Sequence, residues 1–167
     1  MKKLISVLLI TICLTSAFSV WAESETYKAL PTNSKVLVNG KEVVFDAYNI
    51  NGNNYFKLRD IAMAFNNTSN KFRVDWLEEL KVISIFTGGN YTPVGGELTK
   101  GDGTEKLALR TGTDVSIDLC ILKFDTYNIN GNNFFKLREL GYMLDFYVGW
   151  DSDNNCVIIN TEEPYTE

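Results

Sequence analysis

Short apolar runs separated by turn residues predict a chain of β-hairpins. Asn-Gly pairs at 39–40 and 51–52 each lie between two apolar runs, which are 36–38 and 43–45 for the first pair and 48–50 and 55–56 for the second. Asn-Gly favours a tight hairpin because both residues tolerate the positive φ of a type I′ turn. Apolar runs at 72–76 and 82–86 predict a third hairpin.

The apolar spacing changes between the second and third hairpins. Apolar residues there recur at i, i+3, i+4 and i+7, as Leu58, Ile61, Ala62 and Phe65. This is the spacing of one face of an α-helix, so we expect a short helix that crosses the strands. Strands combined with one helix predict the α+β class.

The whole pattern occurs twice. Residues 45–60, FDAYNINGNNYFKLRD, return as FDTYNINGNNFFKLRE at 124–139, and Trp76 corresponds to Trp150. The helix face of the second copy consists of Leu137, Leu140, Gly141 and Leu144. Its first turn differs, because Asp118-Leu119 replaces Asn39-Gly40. The sequence therefore predicts a tandem repeat of two small antiparallel-sheet modules, each with one short helix.

The repeat sets the predicted domain organisation. The first module covers residues 35–94 and the second covers residues 107–161. Residues 95–106 are rich in glycine and polar side chains, which bury little apolar surface, so they predict a flexible linker. Residues 23–34 and 162–167 are expected to be tails.

Residues 1–22 have the features of a secretory signal peptide. Lys2 and Lys3 precede a long apolar stretch, and Ala22 ends that stretch at a position that a signal peptidase can read. We expect cleavage before Glu23, localisation outside the cell or at its surface, and no integral membrane segment afterwards. An uncleaved anchor is the alternative, because the stretch approaches the roughly 20 residues of a spanning helix.

Charge narrows the classes of partner. The chain has 16 basic and 21 acidic side chains and a formal net charge of −5, and loss of Lys2 and Lys3 would make the mature chain still more negative. Proteins bind nucleic acid largely by neutralising phosphates with Lys and Arg. We therefore expect no nucleic-acid partner.

The chain contains no histidine. Nucleophile systems that depend on an imidazole base and sites with histidine-ligated zinc are therefore excluded. A hydrolase with a pair of carboxylates is the remaining catalytic alternative. We expect no catalytic residues and no cofactor.

One acidic segment partly matches a calcium-binding loop. Asp151, Asp153, Asn155 and Glu162 occupy positions that supply oxygen ligands in such loops. Cys156 stands where the loop requires glycine, and apolar residues follow it. We therefore expect a β-turn between two strands here and no metal site.

The candidate ligand-binding residues lie beside the second hairpin turn of each copy. They are Tyr48 and Asn53 in the first copy and Tyr127 and Asn132 in the second. An aromatic ring beside amide side chains suits a sugar ligand. Trp76 and Trp150 allow the same interpretation, but we expect them to pack in the core.

The sequence also suggests two kinds of side-chain pairing: Arg–Asp pairs, which we expect, and a disulfide, for which two alternatives remain. Arg59 and Arg138 hold the same helix position in the two copies, and we expect them to pair with Asp46 and Asp125 on the preceding strand. The two cysteines of the mature chain fall in predicted strands of the second module, at 120 and 156. Export permits a disulfide between Cys120 and Cys156, and two buried thiols are the alternative.

The order of hairpin, NGNNYFKLRD segment, helix and tryptophan-containing strand resembles the copper amine oxidase N-terminal domain-like family, also called the stalk domain. The resemblance covers nearly all of the mature chain, once fully at 36–86 and once with the altered first turn. It implies a secreted or cell-surface bacterial accessory module without catalytic activity. The copper site in the family's name is held by histidines, which this chain lacks.

These observations together predict a non-catalytic module of the bacterial cell envelope that binds cell-wall polysaccharide or another envelope component. Tandem binding modules raise the avidity for repetitive ligands without new contacts. The alternatives are a structural spacer, a docking module for an envelope protein, and the carboxylate hydrolase.

Overall fold

The structure is a computed structural model that describes residues 25–167. The predicted signal peptide and its cleavage site lie outside the described residues. None of the helices within the described part is long and apolar enough to cross a membrane.

Each half of the chain forms seven strands and one helix in the same order. The first half comprises β1 (Thr26–Pro31), β2 (Lys35–Val38), β3 (Lys41–Glu42), β4 (Ala47–Ile50), β5 (Asn53–Lys57), α1 (Leu58–Phe65), β6 (Phe72–Leu77) and β7 (Val82–Thr87). The second half comprises β8 (Lys106–Arg110), β9 (Asp114–Ile117), β10 (Cys120–Lys123), β11 (Thr126–Ile129), β12 (Asn132–Lys136), α2 (Leu137–Leu144), β13 (Tyr147–Asp151) and β14 (Cys156–Asn160). The predicted α+β class is confirmed.

The predicted turns and the first helix form where the sequence places them, but the apolar run 43–45 is not a strand, because β3 comprises only Lys41–Glu42. Asn39 and Gly40 have φ of 49° and 76°, and Asn51 and Gly52 have φ of 50° and 80°, as a type I′ turn requires. The three hairpins pair as β2 with β3, β4 with β5 and β6 with β7. Residues 26–31, expected to be part of a tail, instead form β1.

Strands from both halves close a barrel in the order β1-β4-β5-β12-β11-β8. The halves meet at two antiparallel pairs, β1 with β8 and β5 with β12. Phe56 lies opposite Phe135 at the second junction. The barrel interior is filled by a small cluster of side chains from both copies, which includes Ala29, Tyr48, Tyr55, Ala108, Tyr127 and Phe134.

Two four-stranded sheets flank the barrel, and both also combine the two halves. One sheet has the order β10-β9-β7-β6 and the other has the order β13-β14-β2-β3. In each, the last strand of one copy runs parallel to the first-hairpin strand of the other, as β7 with β9 and β14 with β2. The prediction of two separate antiparallel modules is therefore wrong, because the copies exchange hairpins and both flanking sheets are mixed.

Hydrogen bonds between the halves hold the first hairpin of each copy against the other copy. The side chain of Asn39 donates to Thr161 Oγ1 at 2.8 Å and accepts from the Thr161 backbone N–H at 2.9 Å. In the other copy the side chain of Asp118 accepts from the Thr87 N–H at 3.0 Å and from its hydroxyl at 2.5 Å. The first turn of each copy thus clamps the end of the last strand of the other.

The two helices pack on one shared core. Phe65 of α1 meets Phe146 of the other half edge to face, with ring centroids 4.9 Å apart, and it meets Phe72 of its own half at 6.0 Å. A module of roughly 60 residues buries a small fraction of its surface and is marginal alone. Sharing one core removes that weakness.

The segment predicted as a linker lies against the start of α1. Lys57 Nζ donates to the Gly96 carbonyl at 2.8 Å, and the Leu98 N–H donates to Asp60 Oδ1 at 3.1 Å. The segment has no regular secondary structure before β8. It is nevertheless attached to the fold by hydrogen bonds, which its composition did not predict.

Candidate functional site: two tryptophan grooves

The two repeated tryptophans lie at the surface, and the expectation that they pack in the core is wrong. The exposed fractions of Trp76 and Trp150 are 49% and 47%. Side chains two residues apart in a strand share a face, so Trp76 lies on the same face of β6 as the buried Phe72 and Val74. The core ends before the strand does, and the indole becomes part of a groove wall.

Trp76 borders a cavity of about 240 Å³ that is built from both halves of the chain. Lys57 and Arg59, at the start of α1, supply two cationic groups. Asn132 and Asn133, from the Asn-rich hairpin of the other half, face them. We call this cavity the first groove.

Trp150 borders the equivalent cavity, which has a volume of about 220 Å³. Lys136 and Arg138 at the start of α2 take the places of the first pair of cations, and Asn53 and Asn54 come from the first half. We call this cavity the second groove. Each groove therefore depends on the barrel junction of β5 with β12, because neither copy supplies all of its walls.

The asparagines present polar groups to both grooves. Asn54 accepts a hydrogen bond from Asn49 at 3.2 Å through its side-chain oxygen, and Asn133 accepts one from Asn128 at 3.3 Å. Within residues 25–167, the side-chain amide nitrogens of Asn54 and Asn133 donate no hydrogen bond. Each groove thus combines an aromatic face with an amide donor.

The charges of the two grooves differ at two places, the first being Lys57, which forms an ion pair with Asp60 at 3.1 Å, whereas Lys136 forms none within residues 25–167. Asp75 lines the first groove and forms an ion pair with Arg73 at 2.7 Å, whereas Gly149 takes its place in the second. No acidic side chain lines the second groove within the described part of the chain. The second groove therefore favours anionic ligands more strongly than the first.

Tyr48 and Tyr127 do not belong to either groove. Their exposed fractions are 2% and 3%, and both rings lie in the barrel interior. Tyr48 packs edge to face on Phe134, and Tyr127 packs edge to face on Tyr55. Burial raises the pKa of Tyr48 above its ordinary value. A buried ring presents no face to a sugar, so the predicted stacking role of these tyrosines is wrong.

Asn53 and Asn132, the other two candidate ligand-binding residues, do line the grooves. Sequence reasoning grouped Asn53 with Tyr48 because they are neighbours along the chain. The structure instead places Asn53 opposite Trp150, and Asn132 opposite Trp76. The repeated tryptophans were visible in the sequence, but nothing in it showed which hairpin would face them.

The predicted Arg–Asp pairs do not form. Arg59 donates to the Tyr91 hydroxyl at 3.4 Å, and Arg138 donates to the Val148 carbonyl at 3.3 Å. Asp125 pairs with Arg110 of β8 at 2.8 Å instead. The correction follows from the barrel, since β8 pairs with β11 and carries Arg110 beside this carboxylate.

Among residues 25–167, Cys120 and Cys156 are free thiols, so the disulfide alternative is wrong. Cys120 is exposed and Cys156 is buried. They belong to different flanking sheets, because β10 pairs in one and β14 in the other. Of the predicted pair of buried thiols, only Cys156 is buried.

The acidic segment at 151–155 forms the expected β-turn between β13 and β14. Asp151 accepts hydrogen bonds from the backbone N–H groups of Asp153 and Asn154, at 3.0 and 3.1 Å, and from the Asn154 side chain. These bonds, first of all the one from the Asn154 side chain, lower the pKa of Asp151. The Asp151 carboxylate therefore stabilises the turn.

Comparisons with protein-family models, with characterised proteins and with solved structures found no match to this chain.

Proposed function

We propose that the protein is a non-catalytic, exported binding protein of the bacterial cell envelope that holds cell-wall polysaccharide in its two tryptophan grooves. The observation that carries the proposal is the repeated placement of a half-exposed tryptophan opposite an asparagine pair from the other half. The signal-like residues 1–22 and the resemblance of both copies to the stalk domain support the location.

The chemistry of the grooves suits a glycan. An indole offers a large apolar face, which fits the apolar face of a sugar ring. The N–H of Trp76 donates to Glu78 at 2.5 Å, so the contact there is made by the face of the ring. Asparagine and arginine donors can fix hydroxyl and acidic groups around that contact. A few convergent polar groups around an apolar surface are typical of small-ligand sites.

The duplication supports a polymeric ligand. Two equivalent grooves on one folded body can bind two segments of the same chain, so the second contact is made at a high effective concentration. A repetitive polysaccharide gains from this arrangement, whereas a monosaccharide does not.

The groove linings also favour binding over hydrolysis. Glycoside hydrolysis requires two carboxyl groups on opposite sides of the scissile bond. Among residues 25–167, Asp75 is the one carboxylate that lines the first groove, and it is engaged by Arg73. The grooves therefore supply contacts for a glycan without the pair of acids that would cleave it.

The test is co-sedimentation of residues 23–167 with isolated bacterial cell walls, combined with titration of tryptophan fluorescence by solubilised wall polysaccharide. We expect Trp76→Ala or Trp150→Ala to weaken binding at the altered groove about tenfold, equivalent to ~1.4 kcal/mol. The double variant should stay in the supernatant. Tyr142→Ala is the matched control, because Tyr142 is 67% exposed and lies outside both grooves.

Three other results of these experiments would contradict the proposal. Wild-type protein that remains in the supernatant at every salt concentration points to the spacer instead. Sedimentation that protease treatment of the walls abolishes points to docking on an envelope protein. Turnover of the polysaccharide that is lost in Asp75→Asn would establish the hydrolase.

A further inference from the structure

A third cavity lies beside α2 and has a volume of about 430 Å³. Its walls include Tyr55, Asp125, Lys136, Glu139, Tyr142 and Tyr165. We call it the open groove. It adjoins the second tryptophan groove and shares Asn53, Lys136 and Arg138 with it, but Trp150 is not part of its lining.

The equivalent place beside α1 is occupied by the chain itself. Lys57 and Asp60, the counterparts of Lys136 and Glu139, bind the Gly96 carbonyl and the Leu98 N–H. Both contacts are to backbone groups of a segment that turns at residues 95–98, where Gly95, Gly96 and Leu98 have positive φ. This half of the molecule therefore shows how the site recognises a polypeptide.

A glutamate supplies the side-chain contact of that segment. Tyr91, the counterpart of Tyr165, donates its hydroxyl proton to Glu97 Oε1 at 2.6 Å and receives a hydrogen bond from Arg59 at 3.4 Å. Covered in this way, Tyr91 is only 3% exposed. The site thus binds this segment through the Gly96 carbonyl, the Leu98 N–H and the Glu97 carboxylate.

No such segment covers the open groove within residues 25–167, and its groups are correspondingly less engaged. Tyr165 is half-buried where Tyr91 is buried. Glu139 Oε2 is buried and has no hydrogen-bond partner in the described part of the chain. Neither Lys136 nor Arg138 forms an ion pair among these residues.

We propose that the open groove binds a turn-forming peptide segment of a partner protein that carries a glutamate after small residues, in the way residues 94–98 bind beside α1. Lys136 receives a peptide carbonyl, Glu139 accepts a peptide N–H, and Tyr165 with Arg138 holds the glutamate carboxylate. The inference does not require glycan binding, although Lys136 and Arg138 also line the second tryptophan groove.

The probe is a synthetic peptide with the sequence of residues 92–101, TPVGGELTKG, titrated into residues 23–167 and followed by calorimetry and by backbone NMR shifts. We expect saturable binding, with shifts confined to α2 and the segment around Tyr165. Tyr165→Phe should weaken binding about tenfold, because it removes a hydrogen bond to a charged group. Tyr91→Phe is the matched control and should leave peptide affinity unchanged, since that site already holds its own chain.

A peptide with glutamine in place of its glutamate completes a double-mutant cycle. It should bind wild-type protein as weakly as the original peptide binds Tyr165→Phe, and the two changes together should cost no more than either alone. Equal binding of a scrambled peptide, or an unchanged affinity in Tyr165→Phe, overturns the proposal. Trp76→Ala and Trp150→Ala should not alter peptide binding, so failure of the glycan proposal is separable from failure of this one.

Discussion

Leu119 occupies a backbone conformation that suits glycine. Its φ is 74°, close to the 76° of Gly40 at the corresponding turn position of the other copy. A non-glycine residue in the left-handed region costs about 1–2 kcal/mol, because its Cβ crowds the backbone. The side chain of Leu119 is 78% exposed and recovers little of this cost by burial.

At the residue scale we therefore expect Leu119→Gly to stabilise the protein by about 1 kcal/mol. Asp118, which holds Thr87, is unchanged in this variant. Urea denaturation should show a higher midpoint with the same slope. Gly40→Leu, the reciprocal change, should lower the midpoint by a similar amount, and an equal or lower midpoint for Leu119→Gly would contradict the expected strain.

At the scale of elements, the segment before β8 depends on Glu97. Its carboxylate accepts hydrogen bonds from the Tyr91 hydroxyl and from the backbone N–H groups of Val94 and Gly95. These bonds, first of all the one from Tyr91, lower the pKa of Glu97 from 4.5 to about 2. One charged side chain thus closes a turn and binds the turn to the helix.

The sign of the pH effect follows from that lowered pKa. Because the folded pKa lies below the unfolded value, the contribution of Glu97 is complete above pH 4.5 and is lost as the pH falls towards about 2. NMR titration of the Glu97 side-chain carboxyl should give a midpoint well below 4.5. Tyr91→Phe should move the midpoint up towards 4.5, and a wild-type midpoint already at 4.5 would show that the segment is not held in this way.

At the scale of the whole molecule, the exchange of hairpins makes the halves one folding unit. Both flanking sheets and the barrel contain strands from both halves. Cutting the connection between the halves leaves those pairs intact and removes only the loop constraint, whose free energy changes slowly with loop length. Separation of the halves would break all three sheets.

We therefore expect the halves to stay together after cleavage. A protease site inserted between Gly103 and Thr104, in the exposed part of the connection, allows complete cutting of the folded protein. The two fragments should co-elute at the size of the intact protein, unfold in a single transition, and separate only in denaturant. Two folded fragments that elute separately would restore the two-module interpretation.

The hairpins and both helices were predictable because their signals are local. Asn51-Gly52 specifies a tight turn through its own backbone preferences, and the spacing of Leu58, Ile61 and Phe65 specifies a helix face whatever packs on it. The same reasoning recognised the turn at Asp151. The asparagines of the grooves were also identified from the sequence, because they stand beside the Asn-Gly turn in both copies.

Two features depended on contacts between distant parts of the chain. Alternation along a strand tells which residues share a face but not where the core ends. Trp76 was therefore predicted to lie in the core, and Tyr48 was predicted to lie at an exposed ligand site. The closed barrel buried the tyrosine and left the tryptophan at the rim of the core.

The sequence by itself determined the duplication, the turns, the helices and the absence of imidazole chemistry, since each depends on residue identity or short-range spacing. The tertiary structure alone decided which copy each hairpin joins. Both copies present nearly the same strand edges, so local pairing preferences are the same for a hairpin's own copy and for its twin. The shared core, which buries more apolar surface than two separate modules could, favours the joined arrangement of the halves, in which the pairing of β5 with β12 builds the grooves.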